Sequence, residues 1–468
     1  MAEAVATSAS LGAAPIARTV DEWLAEAAAH EQAGRLEEAE AVVAQVIAAK
    51  PDYAPGLHQA AVLSHKRGRA PEAIARLEQA LRLAPDVALF HRNICELYRG
   101  QKRLDEAFAH GRRAVELTPD DASANYNLGV IQYDRMEVDE AIRLARRALA
   151  LEPGMAGAHF ELAEALLLDG QFAEGWEEYE WRFSLPNSPQ LLPHKDKPQW
   201  DGKPMPDGTL LLIGDQGFGD TIQFCRYVAE VAKLCPNIVM ACSSEMWPVV
   251  KQQSGLAGHF DRWENVPAFE AYCPLSGLPR LFGTDLSNIP APVPYVRADK
   301  ARVAHWRARL GQLVPRGYRT IGITWAGRPT HGNDFNRSMR LETLAPLGAL
   351  EDTALVSLQM GPAVAQVADW RAAAPLINLG AEIGDFADTM AILEVLDHVV
   401  AVDTSVVHLA GAMGRPVSVL LPFAPDWRWL RERTDSPWYP TLRLFRQSAN
   451  GDWAGPVARV AAGLATRA

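Results

Sequence analysis

The sequence predicts an all-α repeat solenoid followed by an α/β region of two halves. Three observations predict it. Pro51, Pro85, Pro119 and Pro153 recur every 34 residues. Small residues recur in the same register. From Thr209 onward, short β-type runs alternate with helical patterns. At roughly 100–200 residues per domain, a chain of 468 residues holds two to four domains.

In the repeat region, each proline falls just after a helix, where it cannot continue the hydrogen-bond ladder. The small position of the second helix of each pair reads Ala39, Ala73, Ala107, Ala141, Gly175. The first helix reads Ala27, Ala61, Cys95, Gly129, Ala163. Small residues recur where two helices approach closely. Segments such as "PDYAPG" and "PDDASAN" start the next helix. A 34-residue period of this kind resembles the tetratricopeptide repeat, and the resemblance spans residues 17–186. Such solenoids present a concave groove, so a protein or peptide partner in that groove is implied. The plainer alternatives are that the repeats brace the second region or form a homodimer. The last repeat, "GQFAEGWEEYEWRFSLP", carries Trp176, Tyr179, Trp181 and Phe183, an aromatic cap suited to docking on another domain. Residues 187–208 are proline-rich and aperiodic, and read as a linker.

In the α/β region, "TLLLIG", "NIVMAC", "TIGITWAG", "ALVSLQM", "LINLG", "HVVAVDT", "VSVLLP" and "LRLFRQ" read as strands. Helical patterns cover Thr221–Leu234, Leu341–Leu350, Phe386–Leu396 and Ser405–Met413. This alternation predicts parallel sheets with crossover helices. The first half covers 209–298 and the second 299–452, whose first strand starts near Arg319. The proline-rich run Pro290–Trp306 connects them. A last helix, about Pro456–Ala465 within 453–468, folds back across both. Ligands of open α/β sheets lie beyond the carboxyl ends of the strands.

Three segments carry candidate chemistry. In "LLLIGDQGFGDTIQF", a strand runs into Gly214, Gly217 and Gly219, and a helix starts near Asp220. Glycines let backbone approach a ligand, and a helix start favours anions. The spacing matches neither the Walker loop nor the dinucleotide fingerprint. Asp220 is a general-base candidate, or simply the helix N-cap. In "GITWAGRPTHGNDFNRSMRLETL", a polar loop follows Trp325 and carries Arg328, His331, Asp334, Arg337 and Ser338. Arg337 and Arg340 can grip a phosphate, or pair with Asp334 or Glu342. In "HVVAVDTSVVHLAGAMGRP", Asp403, Thr404 and Ser405 end a strand and begin a helix bearing His408. Thr404 or Ser405 can cap that helix and offer donors to a diphosphate; His408 alone reads as an interior histidine.

Together these segments resemble the bacterial heptosyltransferase family and its tetratricopeptide-fused relatives, whose architecture is similar to the O-GlcNAc transferases. The resemblance rests on G-D-T after the glycine turn, R-S before an L-E helix, and D-T-S-x-x-H-L-A-G-A-x-G-x-P. It implies a GT-B fold of two Rossmann-like lobes and a transfer with inversion from a nucleotide-sugar, with no metal and no cofactor. Asp220 maps to the general base. Gly217, Gly219, Trp325, Arg337, Ser338, Asp403, Thr404, Ser405 and His408 map to the donor site, with Gln223, His331 and Asp334 auxiliary. Arg337 stands where heptosyltransferases usually carry Lys, so an ADP-heptose donor does not follow. By analogy with the fused relatives, a flagellin or similar surface protein is one candidate acceptor.

Composition narrows the classes. A net charge of -11 argues against a general nucleic-acid binder. Five cysteines without a CxxC pair argue against a disulfide framework or zinc site. The first twenty residues lack a signal-peptide pattern, and no apolar run reaches the ~18 residues of a membrane span. A cytoplasmic location is the expectation. Three functions fit: a glycosyltransferase acting on a protein held by the repeats; a non-catalytic scaffold with a degenerate α/β domain; and a GT-B enzyme of another kind, either acting on a small or lipid-linked glycan or epimerising a nucleotide-sugar.

Overall fold

The computed structural model describes residues 18–186, 188, 190–192, 197–290 and 292–466. The signal-peptide reading falls mainly on 1–17, and parts of the linker on 187, 189 and 193–196, outside the described residues.

Ten helices form five successive pairs. They are Val20–Gln32 with Leu36–Ala49, Ala54–Lys66 with Ala70–Leu83, Ala88–Gly100 with Leu104–Leu117, Ala122–Asp134 with Val138–Leu151, and Ala156–Asp169 with Phe172–Tyr179. The periodic alanines are the close-approach points: Ala27, Ala39, Ala61, Ala73, Ala107, Ala141 and Ala163 are all fully buried. At Gly175 even a methyl group would meet Leu167 at 2.8 Å. The chain divides into two compact units between Ile131 and Gln132. The first holds the early helix pairs, with a core around Leu57, Leu77, Phe90 and Ile94. The second holds the last repeat helices together with the whole α/β region.

In the second unit, ten strands form two all-parallel sheets. The first has the order β3-β2-β1-β4, with β1 Thr209–Ile213, β2 Asn237–Ala241, β3 Leu256–Phe260 and β4 Ala271–Pro274. The second has the order β10-β9-β8-β5-β6-β7. Here β5 is Arg319–Thr324, β6 Thr353–Ser357, β7 Leu376–Asn378, β8 His398–Val402, β9 Val417–Leu421 and β10 Leu442–Arg446. Leu210–Leu212, Leu355–Val356 and Val400–Val402 are fully buried, as strands covered on both faces must be. All eight strands read from the sequence are present. β3 and β4 were not read: β3 is interrupted by Gly258, and β4 is four residues ending in Pro274.

The helical pattern at Thr221–Leu234 resolves into a helix at Phe218–Phe224, a 3-10 turn at Cys225–Tyr227 and a further turn at Val228–Val231. The segment Leu341–Ala349 is 3-10 rather than α, with Pro346 inside it. The last helix, Ala454–Ala465, packs on the second half rather than across both: Val457, Val460 and Leu464 are buried in that half's core beside Ile321 and Leu344.

Each sheet has one point where strand order reverses. In the first it lies between β1 and β4; in the second, between β5 and β8. The crevice beyond the carboxyl ends at such a point is where open α/β sheets hold ligands. The segments after β1, β5 and β8 are the three that the sequence singled out.

Candidate functional site

After β1, the chain turns through Gly214 and Asp215 to the helix Phe218–Phe224. The Asp215 side chain is buried: Ser276, two residues past β4, gives its backbone N–H to Asp215 Oδ1 at 3.1 Å and its hydroxyl to Oδ2. Burial pushes the Asp215 carboxyl up, against the pull of Arg182 and Ser276. Arg182, from the end of the repeats, donates to Ser276 Oγ at 2.6 Å, so the last repeat is fastened to this turn. The aromatic cap docks as its composition suggests. Trp176 Nε1 donates to Thr284 O at 2.8 Å, and the Trp176 and Trp427 rings meet edge to face at 5.1 Å.

Asp220 is not the cap that the sequence offered as its plainer reading. The helix begins at Phe218, with Gly217 as its cap, so Asp220 is the third helical residue and not the N-cap. Its Oδ2 accepts the Gly217 N–H at 3.0 Å, the backward half of a capping box. Its Oδ1 accepts from Arg428 Nη2, a residue from the loop after β9. Arg428 is 6% exposed and also reaches Asp426 at 2.9 and 3.0 Å and Gln223 Oε1 at 2.7 Å. Asp426, Asp220 and Tyr179 raise the Arg428 guanidinium's proton affinity, outweighing its burial. Gln223 is fully buried and serves as a bracket for Arg428 rather than as a surface group.

Gly219 packs on His408: a Cβ there would lie 2.8 Å from His408 Cδ2. The two halves therefore meet at this glycine. His408 Nδ1 lies 3.0 Å from the Tyr439 hydroxyl, and its Nε2 lies 3.7 Å from Asp403 Oδ1. Asp403 Oδ2 accepts the Trp429 indole N–H at 2.9 Å. Burial works against the Asp403 carboxylate, but His408, Trp429 and Arg337 together hold it below the usual carboxylate range. The interior-histidine reading of His408 is thus realised, on a carboxylate and a phenol. Thr404 occupies the cap position of the helix Ser405–Ala412, yet its hydroxyl makes no cap bond. Its Oγ1 is buried without a hydrogen-bond partner. Ser405 is the first helical residue.

After β5, Trp325 is fully buried in the core of the second half. Its indole N–H has no partner, and the neighbouring Thr324 Oγ1 has none either. Gln359 holds the backbone here, accepting from Trp325 N and Ala326 N at 3.0 Å each. The loop then closes on itself. Ser338 Oγ accepts from Gly327 N and donates to Asp334 Oδ1, both at 2.9 Å. Arg337 Nε lies 3.6 Å from Asp334 Oδ1, and Arg340 pairs with Glu342 at 2.8 Å, so both ion pairs weighed from the sequence occur. His331 is exposed; partial burial and Arg337 lower its proton affinity against Asp334, Asp403 and Asp426. The Arg328 guanidinium lies 5.5 Å from the centre of the Phe218 ring, a second contact between the halves.

The structure thus gathers Gly219, Asp403 and His408 directly, places Arg337 within electrostatic reach of Asp403, and ties Asp220 to Arg428. Trp325 and Gln223 contribute from the interior. Sequence reasoning missed Asp426, Arg428, Trp429 and Tyr439, all in "FAPDWRWLRERTDSPWYP". The available signal was the one used elsewhere: a charged, aromatic loop directly after the strand "VSVLLP". Among the described residues, no group of three or more His, Cys, Asp or Glu is placed to hold a metal ion, and no helix is long and apolar enough to cross a membrane.

Comparison with known proteins bears on the repeats. A tetratricopeptide repeat family model matches residues 66–122, 112–148 and 126–180. Protein FlbA of Caulobacter vibrioides is 27% identical, with 64% of this chain and 54% of that protein covered. The chain therefore spans about half the length of that relative. Among solved structures, MamA is 20% identical, covering 33% of this chain and 91% of its own, with a TM-score of 0.31. PilF of Pseudomonas aeruginosa is 19% identical, covering 37% and 78%, with a TM-score of 0.34. The chain carries N-terminal tetratricopeptide repeats, followed by an α/β region of parallel sheets.

Proposed function

We propose that this protein is a glycosyltransferase that moves a sugar, with inversion and without a metal, from a nucleotide-sugar to a protein or peptide held by the repeats. The α/β region is read as a GT-B pair of lobes with the donor in the second. The observation that carries this reading is the set of unsatisfied polar groups at the β5–β8 switch point. Thr324 Oγ1, Thr404 Oγ1 and Arg337 Nε are buried there without hydrogen-bond partners. Left unpaired, such groups cost free energy, and a polar ligand that pairs them is favoured.

In this reading, the acceptor hydroxyl attacks the anomeric carbon while its proton passes to Asp220. The bond from that carbon to the phosphate oxygen breaks. The nucleoside diphosphate leaves with charge met by Arg337 and the free N–H groups at the start of Ser405–Ala412. Asp220 retains lone pairs beyond those engaged by Gly217 and Arg428. The match to the Caulobacter protein covers 64% of the 468 residues, about 300, whereas the repeat helices Val20–Tyr179 span only 160 residues. That relative thus shares more than the repeats.

A second reading has a specific observation behind it. Asp220 is paired with Arg428 and Arg337 with Asp334, as in a silent domain whose charges satisfy one another. The repeats would then make the chain a binding scaffold. A thermal-shift screen of nucleoside diphosphates and nucleotide-sugars with EDTA present separates the two. Under the first reading, one nucleotide family at 100 times its Kd stabilises the protein by about 2.7 kcal/mol. A panel that leaves the melting temperature unmoved supports the scaffold.

A further inference from the structure

The loop after β9 brings a row of alternating charge to Asp220. Arg428 lies between two carboxylates. Its Nη1 reaches both oxygens of Asp426, its Nη2 donates to Asp220 Oδ1, and its Nε donates to Gln223 Oε1. The guanidinium carbon lies 4.1 Å from the centre of the Trp427 ring, and the arginine is almost wholly buried. An arginine that needed only a counter-ion has one in Asp426, two residues away in the same loop. Its further reach, to Asp220 and Gln223 on one helix, joins residues 205 and 208 positions away.

The charges have opposed effects on a base. A buried guanidinium fixes a carboxylate but makes it reluctant to take a proton. A second carboxylate on the same guanidinium offsets that effect. Asp426–Arg428–Asp220 carries a net charge of about -1, so a proton arriving on Asp220 neutralises the row instead of leaving a buried cation. Other groups surround the site. Tyr179 and Asp215 feel the Asp220 charge, His408 faces Gly219, and Arg328 covers Phe218. Tyr179 is engaged by Gln216 and Asp215 by Ser276. Among the described residues, the hydrogen bonds to Asp220 come from Gly217 and Arg428.

We propose that Arg428 and Asp426 are positioning residues for the proposed base. Arg428 fixes the Asp220 carboxylate across the boundary between the halves, and Asp426 offsets the arginine's charge so that Asp220 can accept the acceptor's proton. This rests on the reading of Asp220 as base.

The test uses the full chain with UDP-N-acetylglucosamine, UDP-glucose and GDP-mannose as probes, water as acceptor, and release of nucleoside diphosphate as readout across pH. Asp426→Asn removes the offset, so the acid limb of the rate–pH profile moves down, with a lower plateau. Arg428→Gln moves the limb up, and Arg428→Lys restores part of the plateau. KM for the sugar stays within about twofold in all three, because neither residue binds donor in this account. Limbs that stay in place, or move together, overturn the proposal. If Arg428→Gln fails to fold, Asp426→Asn alone decides, since Arg428 keeps Asp220 and Gln223. If the wild type releases nothing from any probe, the base reading falls and takes this proposal with it; that failure shows in the wild type rather than in the variants.

Discussion

Replacing Gly219 with alanine tests one of the contacts at which the two halves meet. The new Cβ would lie 2.8 Å from His408 Cδ2 and 3.3 Å from Nε2. Carbon atoms pack best at about 3.5–4.0 Å, so the ring or the helix must retreat by roughly 0.7 Å. His408 has little freedom to do so. It is 6% exposed, bound to Tyr439, and flanked by the Trp429 and Tyr439 rings at 5.6 and 5.7 Å. Overpacking of this sort costs about 1–3 kcal/mol. Against it stands the helix preference of alanine over glycine, about 1 kcal/mol. The net expectation is a loss of about 1 kcal/mol, or roughly 2–4 °C in melting temperature. Gly311→Ala supplies the control. Gly311 lies within the helix Lys300–Leu313, and a Cβ there meets nothing within 4 Å. That variant should gain up to about 1 kcal/mol from the same propensity term. Urea unfolding followed by tryptophan fluorescence measures both. A shift of both variants in the same direction would show that His408 does not crowd position 219.

Two further outcomes follow from particular groups. Thr404→Val removes a buried hydroxyl that has no partner, so stability without added nucleotide should be unchanged or slightly higher. Nucleoside diphosphate affinity, by calorimetry, should nonetheless fall by about fivefold or more; equal affinity would take Thr404 out of the site. In the repeats, His58 stacks on Phe90 at 5.0 Å and lies 2.8 Å from the Asn93 amide, and burial, with Arg92, lowers its pKa from 6.5 to about 4. A lowered histidine leaves both states neutral above pH 6.5. As pH falls to about 4, the unfolded chain takes up the proton first and stability is lost, by an upper limit of about 3 kcal/mol. His58→Gln should flatten that part of the stability–pH curve for the full-length protein, read by denaturant titration at pH 7 and pH 5; an unchanged slope would sink the assignment.

The repeats were legible because their signal is a period. One proline and two small positions recur at a fixed spacing, and each small residue is buried where helices touch. The parallel sheets were legible wherever an apolar run is long enough to cross a covered sheet, as in "TLLLIG" and "HVVAVDT". β3 and β4 were not, since a glycine breaks one and the other is only four residues long. Asp220 was placed at the helix start, but glycines obscure a boundary, and the helix begins two residues earlier. Its partner Arg428 was hidden for a different reason. No local pattern links residues 208 positions apart, and the pairing exists only once both halves fold. The same holds for Trp429 with Asp403 and Tyr439 with His408: each reads alone as an ordinary buried aromatic.

In the proposed reaction, Asp220 takes a proton during transfer from a nucleotide-sugar. The most direct measurement is release of nucleoside diphosphate by the wild type and by Asp220→Asn, with donor affinity and melting temperature recorded on the same samples. Asparagine retains an oxygen for the Gly217 N–H, and Arg428 retains Asp426, so the cost in stability should be about 1–3 kcal/mol, the price of one buried charge partner. Turnover should fall by ~10²–10⁴-fold while donor affinity changes little. Turnover that survives in a variant that melts early would contradict the account and make Asp220 a fastening residue between the two halves.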